Sequence, residues 1–383
     1  MTLVLHLSGD YPDQQNGGVN SPVIQRLVGV LADQCPQVVV SINRTAKPWL
    51  TAMTEESANH LSIRYFAPPF GIGHVFFLHR LATTIEEWLA LRGHRPGVIV
   101  AHKFTIEGVV AAKLASHLHC DYVLGFMGTT DDKIWSALPW ARRRLTHIAA
   151  NARAWVFPAP AVADRFRQRL SGLANHHCVI PYISHVDEQR SPLRPAADPL
   201  AMVTVFHFRS LRHKNLDRLV GGVMKVRAAG LPVTLDIVGT GTNDDIARVD
   251  KIIQMHHAET AVRRLGSIAH ADIRATLGRY AAMLLPSRRE SFGLVYLEAL
   301  SAGIPILSTR GIGLDGYFPQ GFPGVKVDAM SVASIADGIR WLAVHRGKLA
   351  PAFANLDNGW HLMTDTAIKR AYLDALGMEL TDA

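Results

Sequence analysis

Short, continuous apolar runs recur along this chain, each followed by a polar turn and a stretch of helical periodicity. In the first half they read LVLHL (3–7), QVVVSI (37–42), GVIVAH (97–102), DYVLGF (121–126), AWVFP (154–158) and HCVIP (177–181). A strand that is apolar on both faces suits a sheet covered on both sides, and alternation with helices marks a parallel sheet. The expected class is α/β, a doubly wound parallel-sheet fold. The stretch 182–199 breaks the rhythm with three prolines and few apolar residues, and reads as a linker. The rhythm then restarts with MVTVFHF (202–208), VTLDIVG (233–239), AVRRLGS (261–267), YAAMLLPS (280–287) and IPILST (304–309). Helices are expected over 215–229 and 294–301, and the chain closes on the helical pattern WHLMTDTAIKRAYLDAL. The expected division is a first Rossmann-like domain over 1–185, a second over 186–362, and a C-terminal helix within 363–383 packing back on the first.

A length of 383 residues agrees with two domains, and 48% hydrophobic residues excludes a disordered chain. The three cysteines, Cys35, Cys120 and Cys178, have no CxxC neighbour, which excludes a disulfide scaffold and a structural zinc site and suits a reducing cytosol. The N-terminus lacks a basic leader and no run of ~18 apolar residues occurs. A soluble or peripheral, cytoplasmic protein is expected, at most held to the inner face of the cytoplasmic membrane.

The chemistry-bearing residues cluster after strand-like runs. In SRRESFGLVYLEALSAGIP (287–305), Glu290 and Glu298 stand eight apart, with Ser291 as a candidate helix N-cap and Gly293 permitting close backbone approach. A helix N-terminus at the carboxyl edge of a parallel sheet suits a phosphate. The same spacing also fits a surface carboxylate pair on an ordinary strand–helix unit. In FRSLRHKNLD (208–217), Arg209 and Lys214 leave one strand–helix junction and suit a diphosphate clamp, or else a solvated loop. Asn16-Gly17-Gly18-Val19 follows the first strand and lets a phosphate or sugar approach, or makes a plain turn; it is not GxGxxG. No GxxxxGK[ST], HExxH, GxSxG or D-x-D occurs, so metal-assisted sugar transfer through a D-x-D motif is not supported, and protein cations must neutralise a leaving diphosphate.

A net charge of +8 points to anionic partners: nucleic acid, membrane headgroups or phosphorylated substrates. Between 133 and 169 eight Lys/Arg residues face one acid, Asp164, with Trp135, Trp140 and Trp155 interleaved. That stretch suits contact with anionic lipid and presentation of a lipid-linked acceptor, or a solvated helical face with core tryptophans. No nucleic-acid module is visible, and no nucleic-acid partner is expected.

Over nearly its whole length the chain resembles the retaining glycosyltransferases of family 4, which have the GT-B fold of two facing Rossmann-like domains. RRESFGLVYLEALSAGIPIL is similar to the family's E-x7-E signature, VFHFRSLRHKNLDRLV to its strand–Arg–loop–Lys segment, and NGGV to its N-terminal glycine loop. LDIVGTGTNDDIARVDKII followed by RRLGSIAHADI resembles the family's strand, glycine turn, helix and base-side strand. The resemblance implies a glycosyltransferase with no cofactor, its donor a nucleotide-diphospho sugar of UDP or GDP type. It implies that Arg209 and Lys214 hold the diphosphate, Glu290 the donor sugar and Glu298 the ribose. It further implies that the backbone of Ser291, Phe292, Gly293 and Leu294 binds phosphate, with Gly17 and Gly18 approaching from the other domain. Gly239 and Ile268 fall on the nucleotide side. The implied acceptor is a glycan or lipid-linked glycan of bacterial envelope or exopolysaccharide assembly; a nucleotide-sugar epimerase and a non-catalytic sugar-binding protein share the fold. One departure is clear: the family's frequent histidine in a segment like HGTD is Met127 here, in GFMGTTDD, and methionine donates no hydrogen bond. His102 and Gly128 are the remaining candidates for sugar or acceptor contacts on that side, with His102 equally suited to a satisfied loop position. STRGIGLDGYF keeps Gly311 and Gly313 but places Asp315 where the family's acid stands at another spacing.

Overall fold

The computed structural model describes residues 1–16, 22–184 and 191–380. Two compact units emerge: Met1–Ile183 with Asp365–Ala383, and Ser184–Thr364.

The first unit is built on an eight-stranded sheet. Its strands are β1 (Val4–Ser8), β2 (Gln37–Thr45), β3 (Ala52–Ser57), β4 (His60–Phe66), β5 (Val98–Ala101), β6 (Asp121–Gly125), β7 (Ala154–Phe157) and β8 (His176–Val179). Their order is β3-β4-β2-β1-β5-β6-β7-β8. All pairs are parallel except β3–β4. In the middle of the sheet Leu5 sits opposite both Val38 and Ile99, all three buried. The β3–β4 hairpin was not expected from sequence. Its edge strand AMTEES is almost wholly exposed, so no apolar alternation marks it.

The C-terminal helix Asp365–Leu376 belongs to this unit and crosses back to it. Ile368, Tyr372, Leu373 and Leu376 join a buried cluster with Val4, Leu27, Leu31, Val98, Val123 and Ile183. Lys369 also pairs with Asp33 at 2.6 Å.

The second unit carries six parallel strands: β9 (Ala201–Val205), β10 (Thr234–Val238), β11 (Val262–Gly266), β12 (Ala282–Leu284), β13 (Ile306–Thr309) and β14 (Gly324–Val327). The order is β11-β10-β9-β12-β13-β14. The expected strands all form; β14, the short GVKV, is additional. Helices Leu216–Ala228 and Leu294–Ser301 lie where the apolar spacing put them. Two such units, one mostly parallel and one wholly parallel, are the architecture of the GT-B class.

Candidate functional site

In a parallel sheet all carboxyl ends share one edge, and ligands bind there. In the second unit the adjacent strands β11, β10, β9 and β12 lead in turn to Ile268, Gly239, Arg209 and Glu290. At about 4.8 Å per strand spacing, that row spans roughly 14 Å.

The loop after β9 is tightly tied. Phe208 N donates to Thr240 O at 2.8 Å, and Lys214 N to Ser210 O at 2.9 Å. Asn215, left-handed at φ 63 and buried, opens the following helix; its Nδ2 donates to Pro286 O (3.1 Å) and Ala329 O (2.7 Å). Arg288 N donates to His213 O at 2.7 Å. These bonds bind the β9 loop to the β12 loop and bring Lys214 Nζ into an ion pair with Glu290 Oε2, both side chains largely covered. Ser287 Oγ donates to the same carboxylate oxygen at 3.5 Å. Arg209, five residues before Lys214 in the same loop, is exposed. Sequence reading missed Asn215; an asparagine immediately before an apolar helical pattern was its only signal.

The helix Leu294–Ser301 starts beside this pair. Gly293, not Ser291, holds the cap position, at φ 86, and no side chain caps the helix. A Cβ at Gly293 would lie 2.4 Å from the Tyr296 ring and 3.2 Å from Glu290 Cγ. Tyr296 donates its hydroxyl to Leu285 O at 2.7 Å, and burial raises its ionisation well above the usual range. The helix thus meets strand β12 with no room for a side chain at 293, and its first-turn amides lack intrahelical acceptors. Phe292 is fully buried, so only its backbone can serve a ligand. Glu298 lies one turn into the helix, with His270 Nδ1 3.6 Å from its Oε1. Gly239, at φ 155, has Phe206 O where a Cβ would be (2.0 Å), and its N–H donates to Gly266 O at 2.8 Å. Asp315 turns inward, accepting from Gly311 N at 2.7 Å and from Lys326 at 2.8 Å.

The first unit's carboxyl edge is a separate polar cluster. Gly17 and Gly18 lie outside the described residues. His102 is buried against His6, Nε2 to Nδ1 at 3.1 Å. Gln37 Nε2 donates to Val28 O, which turns its Oε1 to His6 Nε2 at 3.0 Å. His6 therefore carries its proton on Nε2, and its Nδ1 accepts from His102 Nε2. Burial holds His6 down to about 4 and His102 well below the usual histidine range. Met127 accepts a hydrogen bond from the Tyr182 hydroxyl on its sulfur. Gly128, at φ 79, opens the helix Thr129–Ala137.

Sequence reading also missed Glu107 and Asp131. Glu107 is buried, accepts from Gly9 N at 2.8 Å, and has Lys103 Nζ 4.0 Å away; burial pushes it up to about 7. Lys103 pairs with Asp10 at 2.8 Å. Asp131 accepts from Thr105 N, Thr105 Oγ1 and Met127 N, and burial raises it to about 6. Both acids lie in first helical turns, where carboxylates are common, so nothing in the sequence marked them as buried.

The basic stretch 133–169 divides. Trp135 and Trp155 are core residues, and only Trp140 is exposed. Arg153 pairs with Asp121, and Arg165 and Arg169 with Asp132.

The fold and the edge just described define a class, the GT-B proteins. Residues 187–354, somewhat under half of the chain, match the family described as Glycosyl transferases group 1. Over that stretch the chain is similar to the group 1 glycosyl transferases. It is 30% identical to the glycogen synthase of Mycobacterium tuberculosis over 199 residues, 50% of this chain and 47% of that protein. The chain thus spans about half the length of this curated relative. Among solved structures, the sucrose-phosphate synthase of Thermosynechococcus elongatus superposes with a TM-score of 0.68 at 18% identity, covering 98% of each chain. HepE of Anabaena, solved with UDP and glucose, gives 0.65 at 16% identity, covering 98% of this chain and 99% of that one.

Proposed function

We propose that this protein is a retaining, metal-independent glycosyltransferase that moves a sugar from a nucleotide-diphospho sugar to a glycan or lipid-linked acceptor. The observation that carries this reading is the Lys214–Glu290 pair, formed between the loops of adjacent strands at the carboxyl edge of the second unit. Across that edge Ile268 and Gly239 take the nucleotide end, with Glu298 on the ribose. Arg209, Lys214 and the amides from Ser291 to Leu294 take the diphosphate, and Glu290 takes the donor sugar. The UDP bound by HepE favours a UDP donor over a GDP donor.

In the reaction, the acceptor oxygen bonds to the anomeric carbon on the face from which the diphosphate leaves. The carbon–oxygen bond to the diphosphate breaks, and the acceptor's proton passes to the leaving phosphate oxygen. Configuration is retained and no protein base is consumed. The cations stabilise charge that develops only as the bond breaks, which is where stabilisation accelerates a reaction. The polar edge of the first unit takes the acceptor side through Gly128; His102, expected as a further contact, is buried against His6 and out of an acceptor's reach. Bacterial envelope or exopolysaccharide assembly at the cytoplasmic face of the membrane is the proposed setting.

The test is a thermal-shift screen of nucleotide-diphospho sugars followed by transfer assays. A bound donor raises apparent stability by mass action. Release of nucleoside diphosphate that disappears in both Glu290→Ala and Lys214→Ala, with melting intact, is the expected result. Full activity in both variants overturns the assignment. Complete loss of activity with a chelator overturns the metal-independent mechanism.

A further inference from the structure

The first unit displays large apolar side chains in one place. Phe70 is 91% exposed, Ile72 64%, Phe76 61% and Trp140 59%. Scattered exposed apolar residues are ordinary, whereas a contiguous set marks an interaction surface. Two contacts and one helical spacing draw these residues together. A Cβ at Gly71 would lie 2.6 Å from Leu138 Cδ2, so the turn Pro69–Gly71 lies against Leu138, two residues before Trp140. Phe76 and His79 are one turn apart on the helix His74–Leu91. His79 Nε2 in turn takes a hydrogen bond from Arg144 at 3.0 Å. Trp140, Arg143 and Arg144 then line a groove of about 940 Å³ with Lys113, His79 and His147.

Phe70 adds an independent observation. It sits at φ 61 beside Gly71 and Gly73, also at positive φ. A bulky residue in the left-handed region is strained, and its side chain here is almost wholly in solvent. Neither packing nor backbone geometry accounts for a phenylalanine at 70; glycine or asparagine fits that conformation better. A surface that must enter an apolar phase does account for it.

We propose that Phe70, Ile72, Phe76 and Trp140, backed by Lys113, Arg143 and Arg144, form a docking surface for an anionic lipid bilayer. The apolar tip enters the headgroup–acyl boundary while the cations meet lipid phosphates, the arrangement of interfacial anchors. A second copy of the chain is a poor occupant, because a two-fold contact would bring these cations together. Of the acids around the groove, Glu86 pairs with His117 at 2.9 Å, and Asp121, between the lining residues Cys120 and Tyr122, pairs with Arg153 at 2.7 Å. The lipid-linked acceptor above is the reason such a surface would be useful, and the proposal rests on that reading for its purpose alone.

Flotation of the full chain with vesicles tests it without donor or acceptor present, so its failure leaves the transferase reading standing. Vesicles of phosphatidylcholine containing roughly one-third phosphatidylglycerol are compared with pure phosphatidylcholine at low salt. The chain should float with the first and not the second, and Trp140 emission should shift to the blue. Each cation removed from the surface costs about fivefold in partitioning, so R143Q/R144Q should lose roughly 25-fold. Phe70→Gly should bind several-fold more weakly while melting no lower than the parent. Lys251→Gln, on an exposed face of the second unit, should bind like the parent. No flotation with the anionic vesicles, or flotation unchanged in both R143Q/R144Q and Phe70→Gly, overturns the proposal.

Discussion

Glu290 and Lys214 stand 76 residues apart and meet as an ion pair because their strands are neighbours. Their residue types were legible in the sequence; their contact was not, since it depends on Asn215 tying two loops. Glu290→Gln keeps the side chain's shape and removes its charge. Transfer should fall by on the order of 100-fold with little change in melting, read as nucleoside diphosphate released under single-turnover conditions. Buried Glu107 makes a different prediction. Its ionisation is raised to about 7, so the fold favours its neutral form. The stability this contributes is complete below about pH 4.5, its unfolded value, and is lost as pH rises through 7. Compared with Glu107→Gln, the parent's melting advantage should therefore shrink by up to about 3 kcal/mol between pH 4.5 and 7.5. A difference that stays flat with pH would contradict this. His6, held down to about 4, acts in the opposite sense, losing its contribution as pH falls from 6.5 through 4. Glu107→Gln leaves that contribution in both proteins, so the comparison isolates the carboxyl.

At the scale of elements, the junction of β12 with the helix Leu294–Ser301 depends on one backbone position. Gly293 is both left-handed and in contact with the Tyr296 ring, so Gly293→Ala meets strain and collision together. A loss of about 2 kcal/mol in denaturant melts is expected, with weaker donor binding by calorimetry because the first-turn amides move. Gly311, with nothing within 4 Å of its Cβ, should lose less on the same change, since strain alone remains. Parallel strands were legible here because burial on both faces writes an unbroken apolar run. The β3–β4 hairpin was not legible because an exposed edge strand needs no such run. The cap at Gly293 was misplaced to Ser291 for a related reason. Serine is the commoner cap by side-chain chemistry, but the helix opens at Gly293 in a left-handed conformation with no side-chain cap.

For the whole molecule, two compact units share one chain, and the last helix returns to the first unit. Leu373 is 1% exposed within that helix and packs in the cluster that holds Val4, Val98 and Val123. Leu373→Ala should cost about 2–5 kcal/mol and lower one calorimetric transition while leaving the other in place. A uniform shift of all unfolding would contradict independent units.

The sequence by itself determined the α/β class, the doubling of the unit and the residue types at the second sheet's carboxyl edge. Periodicity and turn chemistry are local, and a single chain records them directly. Only the tertiary structure decided where the cations go: Arg165 and Arg169 to Asp132, Arg143 and Arg144 to the lining of an exposed groove. It alone decided that His102 is buried against His6 and that Glu107 and Asp131 lie inside. Burial and pairing depend on strand order and helix packing, which join residues that the sequence keeps far apart.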